Sequence, residues 1–346
     1  MDEEQLLKTM VSMYSPTGKE GQLADFLVRI MNENGFRSYR DEIGNVIGIA
    51  GYGNEDILLV SHIDTVPGEL PVIMKKGVLY GRGSVDAKSS LATMICAAQN
   101  FIHNTMKRIV VIGAVDEEGN SSGARNLLGK YNPMCIVIGE PSEWDAITIG
   151  YKGCLKFTYE IKGGNMHVGT PNSTEVERGL EFWNHVKKYC RSYSSSSLFD
   201  AVSPKLISFN TLTDGLHTCV HMQIDIRIPP CVNIHEVKKS IFKLKTKGII
   251  RWIAEEKPIL STKNNVLVRT FISAIRGEGG TPKLKMKLGT SDMNILGNYW
   301  QIPVVAYGPG NSKLDHTPNE CICLDDYHRA IRILNNALKK LVEINQ

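Results

Sequence analysis

The sequence predicts an α/β protein built on a mostly parallel mixed sheet flanked by helices, with a smaller α+β domain inserted into it. Three observations carry that expectation. Continuous apolar runs of strand length, "ILLVS", "RIVVIGAV" and "MCIVIG", alternate with helical patterns, as expected of strands covered on both faces. From about residue 152 to 262 the pattern changes to alternating strands and two amphipathic helices in the order β-α-β-β-α-β. Beyond it, "IPVVAYGPG" and a long closing helix resume the first pattern. The expected parts are residues 1–151 and 263–346 for the α/β domain and 152–262 for the insertion.

Along the chain, Leu23, Phe26, Leu27, Ile30 and Met31 recur at helical spacing, so a helix runs to about Asn34, where Gly35 can stop it. Short strands follow around "NVIGIAG" and "ILLVSHID". "DAKSSLATMICAAQNFIHN" reads as a helix with Asp86 near its start. "RIVVIGAVD" is a buried strand, "SSGARNLLGKY" a short helix and "MCIVIGEPS" another buried strand. In the insertion come the strand "CLKFTYEIKG", the helix "STEVERGLEFWNHVKKYC", strands around "VHMQIDIRIPP", the helix "NIHEVKKSIFKLK" and the strand "GIIRWIAEE". "DDYHRAIRILNNALKKLVEI" closes the chain as an amphipathic helix.

Composition narrows the class. The 346 residues are 42% hydrophobic and 22% charged, ordinary for a globular protein, and long enough for two domains. No run approaches the ~18 apolar residues of a membrane span. The start, "MDEEQLLKTM", has no basic-then-apolar order, so a cytoplasmic protein is expected. A net charge of +4 without a basic stripe interleaved with aromatics argues against nucleic acid. The eight cysteines lie mostly in apolar runs without a CxxC pair, and are expected to be buried free thiols. Cys321 and Cys323 would share one face of a core strand.

The charges lie at strand ends. "ILLVS" runs into His62 and Asp64, and "IVVIGAV" into Asp116, Glu117 and Glu118. "CIVIG" ends at Glu140, and "PVVAYGPG" leads to Asp315 and His316. Open α/β sheets bind ligands beyond the carboxyl ends of their strands. A lone strand-end glutamate is usually a cap or a solvated loop residue, but several anionic groups converging on one edge repel unless something positive lies between them. A pair of divalent cations removes the conflict, and histidine with carboxylate suits zinc, cobalt or manganese. Adjacent residues on extended backbone point in different directions, so one of Glu117 and Glu118 serves as a ligand while the other accepts a proton from the attacking water. In "YGRGSVDAKSS", Gly81 and Gly83 permit a sharp turn that leads to Asp86, whose two oxygens can bridge two cations. Read instead as a phosphate cradle, this glycine turn lacks the P-loop order.

These motifs have a familiar order. "SHIDTVPG", "YGRGSVDAKSS", "VDEEGNSSGAR", "IGEPS", "GGNMHVGTP", "DIRIPP", "GTSDMNIL" and "GPGNSKLDHTPNE" resemble, over nearly the whole chain, the co-catalytic zinc peptidases and deacylases. That family includes acetylornithine deacetylase, succinyl-diaminopimelate desuccinylase, aminoacylase and glutamate carboxypeptidase. The resemblance implies a zinc-peptidase fold with a lid or dimerisation insertion, and two divalent ions, zinc first and cobalt as the alternative. It implies His62 and Glu140 on one ion, Asp86 bridging, and Glu118 with His316 on the other. Glu117 is then the general base, and Asp64 the carboxylate that orients His62. His167 would serve the developing oxyanion, often across a dimer interface. Arg227 would bind substrate carboxylate or oxyanion, and the turn Gly289, Thr290, Ser291 up to Asp292 would line the substrate. The pattern departs at "TDGLHTCV", where Asp214 stands without the family's usual Asn and Pro. His217 and His221 on this strand read as surface or interface histidines.

Within the family, the short length and "IGEPSEWDAITIGYKG" most resemble the branch that releases lysine or ornithine from the small acidic amino-group carrier protein LysW. That reaction cleaves the isopeptide bond to the carrier's terminal glutamate. The rival expectations are deacylation of N-acyl amino acids, dipeptide hydrolysis, a homologue that binds metal without catalysis, and a two-metal phosphoesterase.

Overall fold

The computed structural model describes residues 2–104 and 106–344. The chain forms two compact units: Met1–Ile149 with Ser261–Lys285 and Ser291–Gln346, and Gly150–Leu260 with Met286–Thr290.

The first unit opens with α1 (Glu3–Ser12), α2 (Gly21–Glu33), β1 (Arg37–Arg40), β2 (Val46–Ala50), β3 (Asp56–His62), β4 (Ile73–Lys75) and β5 (Val78–Tyr80). It continues through α3 (Lys88–Gln99), β6 (Arg108–Ala114), α4 (Ser122–Leu127), β7 (Pro133–Gly139) and β8 (Ala146–Tyr151). There follow β9 (Gly153–Gly164), α5 (Glu175–Arg191), β10 (Ser203–Thr213), β11 (His217–Ile228), α6 (Ile234–Leu244), β12 (Ile249–Glu256) and β13 (Ile259–Leu260). The chain closes with α7 (Val266–Gly277), β14 (Lys283–Lys287), α8 (Asp292–Trp300), β15 (Val304–Ala306), β16 (Cys321–Cys323) and α9 (Leu324–Glu343).

In the first unit the sheet runs in the order β1-β2-β6-β3-β7-β15-β8. The parallel part is central: β3 pairs in parallel with β6 and β7, and β7 with β15. The outer pairs β1-β2, β2-β6 and β15-β8 are antiparallel. β3 is buried along its whole length, and β6 and β7 nearly so, which is why these strands read as continuous apolar runs rather than alternating ones. The chain steps from β3 to β6 on one side, then crosses back to β7 on the other. That reversal is the topological switch at which α/β sheets open a crevice. The register brings the strand ends level, with His62 opposite Ala114 and Ser61 opposite Gly139. Gly139 is required there, because a Cβ would lie 2.4 Å from the Ser61 Cβ.

Helices supply the rest of this core. α9 buries Tyr327, Ala330, Ile331, Leu334, Ala337, Leu338 and Leu341, the stripe its helical spacing predicts. α3 packs against α1, α9 and the sheet, and every residue from Lys88 to Ala98 is buried. It ends at Gln99, short of the expected Asn104, because the carbonyls of Ile102 and Asn104 accept the N–H groups of Gly51 and Tyr52 instead of continuing the helix. His103 accordingly lies in a turn.

The second unit contains a four-stranded antiparallel sheet in the order β10-β11-β9-β12. Phe157, Tyr159 and Ile161 of β9 point inward with Val220, Met222 and Ile224 of β11, under Phe182 and Val186 of α5 and Val237 and Ile241 of α6. The alternate residues face the other side of the sheet. Thr174 and Glu177 close a reciprocal capping box at the start of α5.

All eight cysteines are free thiols, but only Cys96, Cys135, Cys154 and Cys190 are buried. Cys231 is exposed, and Cys219, Cys321 and Cys323 are half-buried. In β16 the residue turned inward is Ile322, so the cysteine pair shares the less buried face of a short edge strand.

Candidate metal centre

Four strands of the first unit deliver the charged residues. His62 is the last residue of β3, Glu140 follows β7 directly, and Glu117 and Glu118 follow β6 by a short turn. His316 lies in the loop between β15 and β16. Asp86 arrives on the turn before α3. There Gly83 has φ +83°, and a Cβ on it would lie 2.9 Å from the Lys88 Cδ, so both conformation and space demand glycine.

Asp86 stands between the two histidines. Its Oδ1 is 3.2 Å from His62 Nε2 and its Oδ2 is 3.0 Å from His316 Nε2. His316 Nε2 is also 2.8 Å from Glu118 Oε1, and His62 Nε2 is 4.0 Å from Glu140 Oε1. Three triads emerge, each with one donor atom per residue and all within 4.8 Å: His62, Asp86 and Glu140; Asp86, Glu118 and His316; and His62, Glu117 and Glu118. Nitrogen and oxygen donors in sets of three, two sets sharing one carboxylate, suit a pair of zinc-class cations. The donor set fits such a pair.

Asp64 organises the turn that presents the two glutamates. Its carboxylate accepts the N–H of Glu117 at 3.1 Å, the N–H of Glu118 at 3.1 Å and the Thr17 hydroxyl at 2.8 Å. The His62 ring is held from behind: Nδ1 is 2.9 Å from the Asp64 carbonyl and 3.5 Å from its Oδ1, which leaves Nε2 aimed at Asp86. Asp116, by contrast, serves the backbone; with φ +61° it accepts the Asn120 N–H at 3.3 Å.

The crowding of charge is visible in the proton affinities. Burial resists protonation of His62, yet Asp64 and Asp86 outweigh it and lift its pKa well above the ordinary value. Hydrogen bonds to Asp86 and Glu118 raise His316 to about 10. Burial, opposed by His62 and reinforced by Glu140, Asp292 and Glu118, pushes Glu117 well above the usual carboxylate range. Burial would also raise Asp64, but His62, Thr17 and the Glu117 N–H hold it low.

Four contributors are not apparent from strand-end reasoning. Asp292, the first residue of α8, is buried, and burial with the nearby Asp64 charge, against His62, sets its pKa at about 7. Glu320 is buried; its Oε1 accepts the N–H groups of Val85 at 2.9 Å and Asp86 at 3.0 Å, and its Oε2 accepts from Arg82 Nη1 at 2.8 Å. Arg82 continues to the carbonyls of Gly68 at 2.9 Å and Thr317 at 3.3 Å, linking the turn of Asp86 to the loop of His316. Lys88, whose pKa burial lowers to about 7, donates to the Met13 carbonyl at 2.7 Å.

The remaining expected residues are described within their own units. His167 is exposed in the second unit, its Nδ1 accepting the Gly169 N–H at 3.1 Å. Arg227 of β11 pairs with Asp225 at 2.9 Å and meets the Thr290 hydroxyl at 3.4 Å. Gly289 is exposed, and Ser291 caps α8 by accepting the Met293 N–H at 3.2 Å. His217 turns to Asp214, 3.3 Å away.

Comparison with known proteins gives a consistent result. The family model described as peptidase family M20/M25/M40 matches residues 58–340. A Deinococcus radiodurans protein named LysW-lysine hydrolase is 37% identical over 350 residues, covering 98% of this chain and 96% of that protein. A Pyrococcus furiosus protein, provisionally named LysW-lysine/LysW-ornithine hydrolase, is 39% identical over 341 residues, covering 97% of this chain and 96% of the other. Among solved structures, the aminopeptidase PepT of Bacillus cereus shares the fold with a TM-score of 0.81 at 18% identity, covering 99% of this chain and all of its own. A Bacillus subtilis protein described as a dinuclear metal-binding peptidase of the M20 family aligns with a TM-score of 0.73 at 12% identity, covering 99% of this chain and 98% of its own.

Proposed function

This chain belongs to peptidase family M20/M25/M40, and from that premise we propose that it releases lysine or ornithine from the carrier protein LysW by hydrolysing the isopeptide bond to the carrier's C-terminal glutamate. One observation carries the chemistry: Asp86 faces His62 with one oxygen and His316 with the other. Near-full-length identity to proteins named for LysW conjugates supports the substrate.

In this reading His62, Asp86 and Glu140 would hold one divalent ion, and Asp86, Glu118 and His316 the other, with zinc first and cobalt as the alternative. Bound there, the ions supply Lewis acidity toward the scissile carbonyl and acidify water at the site. Glu117 takes the proton of the attacking water and passes it to the departing amine. Asp64 fixes both parties, holding the His62 ring and the backbone of Glu117. His167 is assigned to the oxyanion, and Arg227 with Gly289, Thr290 and Ser291 to the substrate. The reading includes a cytoplasmic homodimer formed through the inserted unit. No helix among the described residues is long and apolar enough to cross a membrane.

The deciding experiment offers the purified enzyme LysW-γ-lysine, LysW-γ-ornithine, N-acetylornithine, N-succinyl-diaminopimelate and dipeptides side by side. Release of free lysine or ornithine from the conjugates, with little turnover of the small substrates, is expected. Vigorous hydrolysis of N-acetylornithine with none of either conjugate overturns the carrier assignment while leaving the metal chemistry standing.

A further inference from the structure

We propose that Glu160, Cys219 and His221 form an additional metal site, for a zinc-class divalent cation, on the face of the β10-β11-β9-β12 sheet turned away from α5 and α6. The strand register builds it. His221 lies directly opposite Glu160 across the β11-β9 ladder, and Cys219 stands two residues along β11, on the same face. Their neighbours Val220, Met222, Tyr159 and Ile161 point the other way into the core, so the three side chains share a rigid platform.

The donor atoms are already close. Cys219 Sγ is 3.3 Å from His221 Nε2, and His221 Nδ1 is 3.5 Å from Glu160 Oε2. One donor from each residue falls within 4.8 Å of the other two. A tetrahedral zinc ion spaces its ligand atoms about 3.3–3.8 Å apart, as follows from its bond lengths, so a turn of the imidazole and a small closure of the carboxylate complete the set. Thiolate and imidazole together select zinc-class ions over magnesium or calcium.

Two features oppose binding, and neither is strong. Burial, with the Glu160 charge adding to it and Lys162 opposing, keeps the Cys219 thiol protonated, so the entering cation must displace that proton to solvent. Arg251 Nη1 lies 3.0 Å from Glu160 Oε2, but its side chain is largely exposed and such pairs are weak. Three protein ligands leave a fourth position facing solvent, which marks an exchangeable ion rather than a closed structural one. None of the three residues belongs to the triads of the first unit, so the proposal stands apart from the proposed reaction.

Cobalt titration of the full-length protein tests it. The triads of the first unit offer only nitrogen and oxygen, so a near-ultraviolet thiolate-to-cobalt charge-transfer band must come from a cysteine site. The expected result is a band in the wild type that disappears in Cys219→Ser, whose hydrolytic activity is unchanged, and needs about tenfold or more cobalt in His221→Asn. Zinc should likewise slow alkylation of Cys219, followed by peptide mass spectrometry. No band in the wild type at saturating cobalt, a band that survives in Cys219→Ser, or equal alkylation with and without zinc overturns the site.

Discussion

Glu320 holds Asp86 by its backbone, one buried carboxylate oxygen accepting the Asp86 N–H at 3.0 Å. The same oxygen takes the Val85 N–H, and the other takes Arg82. Glu320→Ala strands two N–H groups and a buried guanidinium, and should cost about 3–5 kcal/mol of stability in urea unfolding. If Asp86 depends on this brace, the variant also binds metal about 10–100-fold more weakly in chelator competition. Unchanged metal affinity would show that Asp86 is positioned by other contacts.

Glu117→Gln keeps the shape of the side chain and removes its proton-accepting role. Turnover should fall by about 10²–10⁴-fold, while metal analysis still returns the wild-type content. Loss of metal in this variant would recast Glu117 as a ligand.

Chelated protein should lose stability as the pH rises from near neutral to about 10. Asp86 and Glu118 raise His316 from its ordinary 6.5 to about 10. Its contribution is therefore complete below 6.5, declines above that value and is gone beyond about 10. Metal must displace the same proton, so metal affinity should rise over this window, with proton release visible in calorimetry using buffers of different ionisation enthalpy. Melting curves of His316→Asn after chelation should be flatter across that range.

Asp292 provides a separable acid-side effect. Its pKa is raised from 3.8 to about 7, so the unfolded chain releases its proton first and chelated protein loses stability between those values. Asp292→Asn should raise the melting temperature of the chelated protein at pH 8 relative to wild type, with little gain at pH 4. An equal gain at both values would assign the effect to packing.

The central strands were legible because burial on both faces forces near-continuous apolar runs, and their charged ends then stand out. His62, Glu118, Glu140 and His316 are visible this way, and Asp86 through its glycine turn. The brace from Glu320 was not, because it acts on residues far away in sequence through a buried carboxylate; Asp292 is legible only as the end of a substrate-lining turn, and its burial beside His62 and Asp64 depends on the fold. Asp64 was legible as a companion of His62, but its grip on the N–H groups of Glu117 and Glu118 depends on how a turn folds back. The pairing of His221 with Glu160 depends on strand register, which alternation alone does not specify. Short strands such as β4, β5 and β16 carry too few residues to display a period.

The first unit is assembled from three separate stretches of chain, and the last of them carries His316. During synthesis on the ribosome, His62, Asp86, Glu118 and Glu140 emerge first and the whole inserted unit follows. At ordinary elongation rates about 10–35 s pass between Glu140 and His316. The arrangement in which Asp86 faces His62 with one oxygen and His316 with the other is therefore complete only once the last stretch of the chain has emerged.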